Sequence, residues 1–345
     1  MRHFVLLVCL LSVLKLPASA LEIEAPKAPN FAQDLMPEDT SDFGESLLGL
    51  LQKAVDKIQP DLADARKTAL SIAASVMLVS LVKAFPTEAA PAELAGTAMI
   101  ALSVLSNMNA LVCLGANTVV EMSEYGKLLL PVMTAAMAAQ GSAVTSAALY
   151  TGTALFDTLL SRLISRFLVP MVYLYLAAAV ANSALGDDVF KKMRDFIKWF
   201  ISWCLKMTLT VFTTYISITG VVSGTTDAVA LKAAKVTISS VVPVVGGILS
   251  DASEAVLVSA GLMKNAAGIY GILAVLAICI VPFLRIGVHY LVLKVTAAIC
   301  SLFGARRMTD LVEDISAAMG LLLAMTGSVC MLLLISTICF LKGVG

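Results

Sequence analysis

The polar residues of a central segment, 223–258, have the types that could shape a polar path between apolar helices. They are Asp227, Lys232, Lys235, Pro243, Gly246 and Gly247. Lys232 and Lys235 lie three residues apart on one face of a helix, and Asp227 lies about a turn earlier. Proline and glycine interrupt helices, and charge or unpaired backbone is tolerated at membrane depth where it faces protein or water. The pattern predicts a broken or re-entrant segment that lines a path.

The same residues fit a second structure equally well. An amphipathic helix could lie on a membrane surface, with its long lysine side chains reaching the headgroups. Four more polar residues occur inside apolar runs: Asn107, Asn109, Arg285 and His289. For these four we expect hydrogen bonds between helices rather than contact with a solute.

Enzymatic chemistry is not indicated by the reactive residues. The seven cysteines contain no CxxC pair and all lie in apolar runs, which favours buried thiols over disulfides or metal ligands. His289 is the only histidine beyond the first 20 residues, so a zinc site or a Ser-His-Asp triad would depend on it alone. Motifs for nucleotides or for catalytic zinc are missing from the sequence. We expect no enzyme activity, no cofactor and no metal.

The elements that hold these residues must be membrane helices. The chain of 345 residues is 59% hydrophobic and 14% charged, and its mean hydropathy is +0.93. Soluble domains carry about 25% charged residues, so a soluble fold could not bury this much apolar surface. A formal net charge of zero and an aromatic content of 6% argue against nucleic-acid binding. The composition predicts an all-α polytopic integral membrane protein, with membrane lipid as its surroundings.

The first 20 residues predict a signal peptide. Arg2 and His3 precede an apolar run of eleven residues, and Ala18-Ser19-Ala20 supplies the small residues of a cleavage site. Eleven apolar residues are short for a membrane span, so we expect cleavage rather than an uncleaved anchor. The mature chain would then begin on the non-cytosolic side.

Residues 21–67 predict an exposed linker that leads into an amphipathic helix. The apolar side chains that recur at helical spacing are Leu47, Leu51, Val55, Ile58 and Leu62. Pro60 is expected to kink or end this helix. The helix would lie on the membrane surface or pack on a partner, and the surface position is the commoner one.

Six to eight transmembrane helices are predicted beyond residue 68. The apolar runs are 68–85, 92–114, 128–149, 167–186, 199–222, 267–303 and 314–341. The run 267–303 suits one long kinked helix or two short helices that meet near Pro282 and Arg285. The stretches 152–166 and 228–258 combine helical periodicity with charge, so the sequence does not decide whether they cross the membrane.

Two basic clusters indicate which loops face the cytosol. One contains Lys191 and Lys192, and the other contains Arg306 and Arg307. The net acidic segment from Glu121 to Lys127 is expected to be an outer loop. With a non-cytosolic N-terminus, the crossings between these loops alternate only if one segment is re-entrant, which again points to the central polar segment.

Proline spacing predicts an internal tandem repeat. Pro131 and Pro170 are 39 residues apart, and so are Pro243 and Pro282. A basic cluster and then an apolar span follow each second proline. If both clusters are cytosolic, the copies are related by an axis along the membrane normal, as in several transporter folds. Chance coincidence of prolines in membrane helices is the alternative.

The predicted organisation therefore has five parts. They are residues 1–20 as signal peptide, 21–67 as linker and amphipathic helix, 68–117 as two N-terminal transmembrane helices, 118–222 as the first membrane repeat, and 223–345 as the second repeat with the broken polar segment.

The amino-acid sequence of the central segment resembles that of a known family. SGTTDAVALKAAK, followed by SSVVPVVGGILSDASEAV, is similar to the signature region of the stage III sporulation protein AE family. The surrounding plan is similar too, with a signal peptide, an acidic-to-amphipathic outer segment and a polytopic body. The resemblance is strongest from about Gly220 to Gly271 and weaker before Leu70.

This resemblance implies a subunit of the channel or secretion-like apparatus that connects the mother cell to the engulfed forespore in endospore-forming bacteria. The implied location is the mother-cell membrane around the forespore. The implied partners are the other stage III A-operon proteins, including a cytosolic ATPase and ring-forming proteins, and the forespore protein that meets them. The family supplies no catalytic residues. Two other functions stay open: an autonomous secondary transporter, and a non-conducting platform that docks ring and ATPase subunits through the basic loops.

Overall fold

The computed structural model describes residues 26–37, 43–83, 89–140, 142–241, 246–303 and 306–342. Its side chains are described except at 83, 89–93, 105–106, 220–266 and 342. Within these ranges the fold is helical throughout and contains no strand. The fold is therefore all-α, as the composition predicts.

Nine α-helices follow one another along the described chain. They are α1 Asn30–Gln33, α2 Phe43–Lys57, α3 Gln59–Lys83, α4 Ala89–Ala139, α5 Ala143–Leu163, α6 Val169–Leu185, α7 Asp188–Val241, α8 Gly246–Ser301 and α9 Arg306–Lys342. One π-helical turn, Ile164–Leu168, joins α5 to α6. Pro170, at the start of α6, has no N–H to donate to the carbonyl of Arg166, and a π turn accommodates such a missing bond.

Helices α4 and α9 form the centre of the bundle. α9 packs against α4, α5, α6, α7 and α8, and α4 packs against α3, α5, α6, α8 and α9. Most of α9 is buried, including Leu311, Ile315, Met319 and Val329, while a narrow stripe that contains Met331 and Ile338 is exposed. Such a wide buried face is expected of a helix at the centre of a bundle. Between membrane helices this burial stabilises through close packing rather than removal from water.

Several described segments are long and apolar enough to cross a membrane. Five do so individually: Gln59–Val82, Ala143–Leu185, Asp188–Thr219, Ala267–Ser301 and Arg306–Leu341. α4 adds a sixth if its two parts, Leu94–Val104 and Asn107–Ala139, count as one span bent by 40°. The structure thus agrees with a helical membrane protein, while the number of crossings stays a prediction.

The predicted outer loop from Glu121 to Lys127 is wrong. This segment lies inside α4, which is unbroken from Ala89 to Ala139. Met122 and Tyr125 are buried there because they continue the helical spacing of the apolar residues on either side. The apolar run 128–149 likewise does not form one span, since a turn separates α4 from α5 within it.

Two other boundary questions are settled by the helices. The stretches 152–166 and 167–186 form one continuous element through the π turn. The run 267–303 lies in the single helix α8, with Pro282 inside it. The amphipathic helix α2 ends at Lys57, just before Pro60 in the first turn of α3, as the sequence predicts.

The face of α2 that packs is offset by one residue from the predicted one. Leu50 and Ala54 are fully buried against α8, whereas Leu51 and Val55 are 37% and 51% exposed. The helix therefore buries a narrow stripe of small and apolar residues on the protein. Its neighbouring apolar face stays free for the membrane surface.

The linker before α2 is not exposed along its whole length. Ala28, Ala32 and Leu35 are buried in the core. The Tyr125 hydroxyl donates a hydrogen bond to the Pro26 carbonyl at 3.2 Å, and the Ala28 N–H donates to the Tyr270 hydroxyl at 3.4 Å. Charge and proline made this segment look solvated, but small side chains let it lie close against α4 and α8.

Candidate functional site

A polar cleft of about 670 Å³ lies between α3, α4 and α8. Its polar lining consists of Asp61, Asp64, Lys67, Thr68, Asn107, Asn117, Arg285 and His289, with Cys113 beside them. On each helix the polar residues recur at three- or four-residue spacings or their multiples, which places them on one face. Three polar helix faces therefore converge between long apolar helices.

An ion pair between α3 and α8 lies at the centre of the cleft. Arg285 Nε lies 2.9 Å from Asp61 Oδ2, without the alignment of a hydrogen bond. Arg285 is 16 residues from the end of α8 at Ser301, or about 24 Å along the helix axis. Because Asp61 is the third residue of α3, the pair lies towards the end of the bundle opposite the basic clusters, about 6 Å short of the far side of an apolar layer about 30 Å thick that begins at Ser301.

The remaining cleft contacts link the helices by neutral hydrogen bonds. Asn107 Nδ2 donates to Thr68 Oγ1 of α3 at 3.3 Å. His289 Nδ1 lies 2.9 Å from the Arg285 carbonyl of its own helix. Outside the cleft, Tyr173 of α6 donates to Asn109 Oδ1 at 2.7 Å. The expected interhelical hydrogen bonding is confirmed for both asparagines, while Arg285 joins helices through charge.

Packed apolar side chains close the floor of the cleft. Val104, Met108 and Leu293 are buried beneath His289 and leave a void of only about 10 Å³. The cleft therefore ends within the bundle along this wall. A solute that entered it would need a movement of these helices to go further.

Sequence reasoning found three of the eight polar residues of the cleft. It named Asn107, Arg285 and His289, but it placed Asp61 on the polar side of an amphipathic surface helix and did not single out Asp64. The missed signal is that Asp61, Asp64 and Thr68 share one helical face, which is the face α3 turns towards α4 and α8.

The predicted path residues of the central segment are only partly described. Asp227, Lys232 and Lys235 lie on α7, but their side chains are outside the described part of the structure. Gly246 and Gly247 begin α8, and Pro243 falls outside the described residues. Helix α7 ends at Val241 and α8 begins at Gly246. Because the contacts of these side chains are not described, their path-lining role stays a prediction.

The two predicted basic clusters meet in a second cavity of about 540 Å³. The charged residues around it are Asp188, Lys191, Arg194, Arg306, Arg307, Asp310, Glu313 and Asp314. Four are cationic and four are anionic, so the cavity is balanced in charge rather than basic. Lys192 does not line it and is exposed.

A buried charge network organises this second cavity. Arg194 Nη1 lies 2.6 Å from Asp314 Oδ2, and both side chains are nearly buried. Tyr175 of α6 donates to Asp314 Oδ1 at 3.3 Å, and the exposed Asp195 pairs with the same arginine. The network joins α6, α7 and α9 at the end where the α6–α7 and α8–α9 turns lie.

Gly186 allows the α6–α7 turn to approach α9. Its φ of +69° is left-handed, a conformation that glycine adopts freely and that commonly ends helices. A Cβ at this position would also lie 3.1 Å from the Arg307 guanidinium. The two basic clusters therefore come together because this turn is tight and carries no side chain.

An aromatic ladder follows the first basic cluster on α7. Its members are Phe196, Trp199, Phe200 and Trp203, with neighbouring ring centroids 6.0–6.4 Å apart. Trp199 and Trp203 are 58% and 46% exposed on the outside of the bundle. Tryptophan at such positions is typical of the membrane–water interface.

Long apolar helices around a charged cleft, with an aromatic ladder at one end, define a helical membrane protein. The sequence model of the family "Stage III sporulation protein AE" matches residues 30–343. The chain belongs to this family, and a role in sporulation follows from that membership.

A curated relative in the same family comes from Bacillus subtilis (strain 168). Stage III sporulation protein AE of that organism is 24% identical over 195 residues, which are 56% of this chain and 49% of the relative. The match thus spans about half the length of that protein. No solved structure matches the chain.

Proposed function

We propose that this protein is a non-enzymatic membrane subunit of the apparatus that connects the mother cell to the forespore. The polar cleft forms part of its translocation path. Family membership supports the sporulation context, and the cleft around Asp61 and Arg285 supports a path. Its partners in this proposal are the other stage III A-operon proteins, including a cytosolic ATPase, and the forespore protein of the complex.

The cleft is the observation that carries this proposal. Ionisable side chains inside a helix bundle are tolerated when they face water or a partner charge. A cleft of about 670 Å³ lies in the range of small-molecule sites. Asp227, Lys232 and Lys235 would then lie near the mouth of the path rather than at its narrowest point.

The positions of the turns support an orientation with both ends of the chain outside the cytosol. The α6–α7 and α8–α9 turns share the charged cavity, and Ser80 near the end of α3 donates to the Phe303 carbonyl at 2.8 Å. These three connections thus lie at one end of the bundle, and the α4–α5 turn is separated from them by a membrane-length helix. Six crossings then alternate without a re-entrant segment.

Complementation of a sporulating strain that lacks the gene tests the path. We expect R285Q and D61N to silence a forespore-restricted transcription reporter after engulfment, at unchanged protein level in the membrane. In the double variant D61N/R285Q neither side chain is charged. The reporter should therefore become active again if the pair serves only to hold α3 and α8 together. A path that needs these charges would stay defective.

An exposed arginine of the same bundle gives the matched control. R162Q changes an exposed side chain of α5 outside the cleft and should leave the reporter active. If D61N/R285Q also sustains a normal forespore, the cleft is not part of the path. The triple variant D227N/K232Q/K235Q tests the mouth separately, and normal sporulation there would remove the central segment from the proposal.

The charged cavity favours a second function, a platform for ring or ATPase subunits. It brings Lys191, Arg306 and Arg307 to one surface. In this case neutral variants of the basic residues would abolish function and cleft variants would not. An autonomous transporter is distinguished by solute uptake into liposomes that contain the purified chain alone, which a complex-dependent subunit would not support.

A further inference from the structure

Asp157 is an acidic side chain buried inside the bundle, away from both cavities. It lies on α5, in the span Ala143–Leu185, and only 1% of its surface is exposed. Its Oδ2 accepts a hydrogen bond from Ser123 Oγ of α4 at 2.6 Å. Its Oδ1 is buried and has no hydrogen-bond partner among the described residues. One carboxyl oxygen is thus satisfied and the other is not.

Two other carboxylates between the helices have guanidinium partners. Asp314 pairs with Arg194, and Asp61 pairs with Arg285. Asp157 has one neutral donor instead. Ionised carboxylates are very costly to bury without pairing, whereas a neutral acid leaves only an ordinary polar group to satisfy. The contrast points to a carboxyl group that carries its proton.

Among the residues whose side chains the structure describes, the groups that face this part of α5 are neutral except for one lysine. From α9, Ser336 shares a 2.9 Å hydrogen bond with Thr153, one turn before Asp157. From α7, the Tyr215 hydroxyl donates to the Ala148 carbonyl at 2.9 Å. From α4, Lys127 lies one turn beyond Ser123, is exposed, and acts electrostatically on Asp157.

We propose that Asp157 is a proton-binding site in the interior of the bundle. The acid O–H bond forms at the unpartnered oxygen at neutral pH. On deprotonation, the proton passes to water on the side of Lys127, whose positive charge then faces the carboxylate left behind. The π turn Ile164–Leu168 lies about two turns further along the same helix, and such turns recur at functional sites. The charge change therefore occurs about two turns from a break in regular α-helical hydrogen bonding.

Chemical labelling of the full-length chain in membranes tests this site. Dicyclohexylcarbodiimide enters the apolar phase and modifies protonated carboxyl groups, and mass spectrometry locates the adduct. We expect the Asp157 peptide to be modified at neutral pH and progressively less as the pH rises. Asp314, whose carboxylate contacts the Arg194 guanidinium, is the internal comparison, and we expect less modification there than at Asp157.

Two variants sharpen the test. K127Q removes a positive charge that stabilises the ionised form, so the loss of labelling should move to higher pH. R162Q, on the same helix as Asp157, should leave the pH profile unchanged. A profile that does not respond to K127Q would place the exchange elsewhere and overturn the Lys127 part of the proposal.

An independent measurement covers the case of poor reagent access. The infrared C=O stretch of a protonated carboxyl group should be present in the wild-type protein and lost in D157N. If Asp157 is unmodified and this band is unchanged in D157N, the side chain is ionised and the proton site is refuted. Because the labelling readout is made on the wild-type chain, a folding defect in D157N cannot mimic it.

Discussion

The Arg194–Asp314 pair shows how one contact binds the two basic clusters together. The arginine comes from the first cluster, and the aspartate lies two turns beyond the second. Both side chains are 12–13% exposed, so removal of one leaves a charge that water cannot fully solvate. Tyr175 adds a neutral hydrogen bond to the same carboxylate. The contact therefore stabilises the meeting of α6, α7 and α9.

Removal of one member of this pair should destabilise the protein strongly. We expect R194M or D314N to lower the free energy of unfolding by about 3–5 kcal/mol, the range for breaking buried ion pairs. Thermal unfolding in detergent measures it. The matched control is D195N, which removes the exposed partner of the same arginine and should cost less than about 1 kcal/mol.

The double variant R194M/D314L shows whether the loss of stability comes from an unpaired charge or from other contacts of the two residues. If the loss comes from an uncompensated charge, the double variant should be more stable than either single variant. Additive losses in the double variant would mean that each residue acts through other contacts.

At the scale of elements, α2 shows the limit of periodicity as a guide. Leu47, Leu51 and Val55 recur at helical spacing, and this spacing correctly predicts an amphipathic helix. It does not reveal which side of the stripe meets protein, because α8 accepts the smaller residues Ser46 and Ala54 beside Leu50. Burial in a membrane protein depends on the shape of the neighbouring helix, and lipid can cover the other apolar face.

Neighbouring leucines of α2 should therefore respond differently to truncation. We expect L50A to cost about 2–5 kcal/mol because Leu50 is fully buried, and the surrounding helices cannot fill the space. L51A should cost much less, since the side chain is partly exposed. Unfolding curves of the two variants in one detergent make the comparison, and equal losses would contradict the observed register.

Long helices were the hardest elements to predict. Charges at Glu121, Glu124 and Lys127 interrupt the hydropathy of α4 and predict a loop, yet Met122 and Tyr125 continue the buried face. A window that averages hydropathy cannot distinguish a charged loop from a helix with one polar face. The basic clusters were easier, because positive charge beside an apolar span has few other interpretations.

At the scale of the whole molecule, the turns predict a topology that can be measured. In intact, non-sporulating cells that express the chain in the plasma membrane, we expect single cysteines at Asp187 and Leu302 to be protected from an impermeant maleimide, and a cysteine at Gln140 to be labelled. The experiment needs a background without the native cysteines, because Cys113 is exposed. Labelling of Asp187 from outside would reverse the orientation.

The tandem repeat remains a prediction at this scale. Both basic clusters lie in the first turn of a long helix and meet in one cavity, as two copies with a common orientation would. The prolines compare less well: Pro282 is inside an unbroken helix, whereas Pro170 follows a π turn. Equal spacing of the prolines suggests a duplication. It does not predict the helix geometry at each proline, where the backbone lacks an N–H donor.

The length of α7 and α8 has a consequence for where this protein can act. From the basic turns, Asp188–Thr219 and Ala267–Ser301 already measure about 48 and 52 Å, which is enough to pass a bilayer with its headgroups. The two helices extend beyond those points to Val241 and Gly246, about 33 Å further. Asp227, Lys232 and Lys235 are carried on that extension. If the membrane ends near Thr219 and Ala267, helices of this length carry the polar segment beyond it, on the side away from the basic turns.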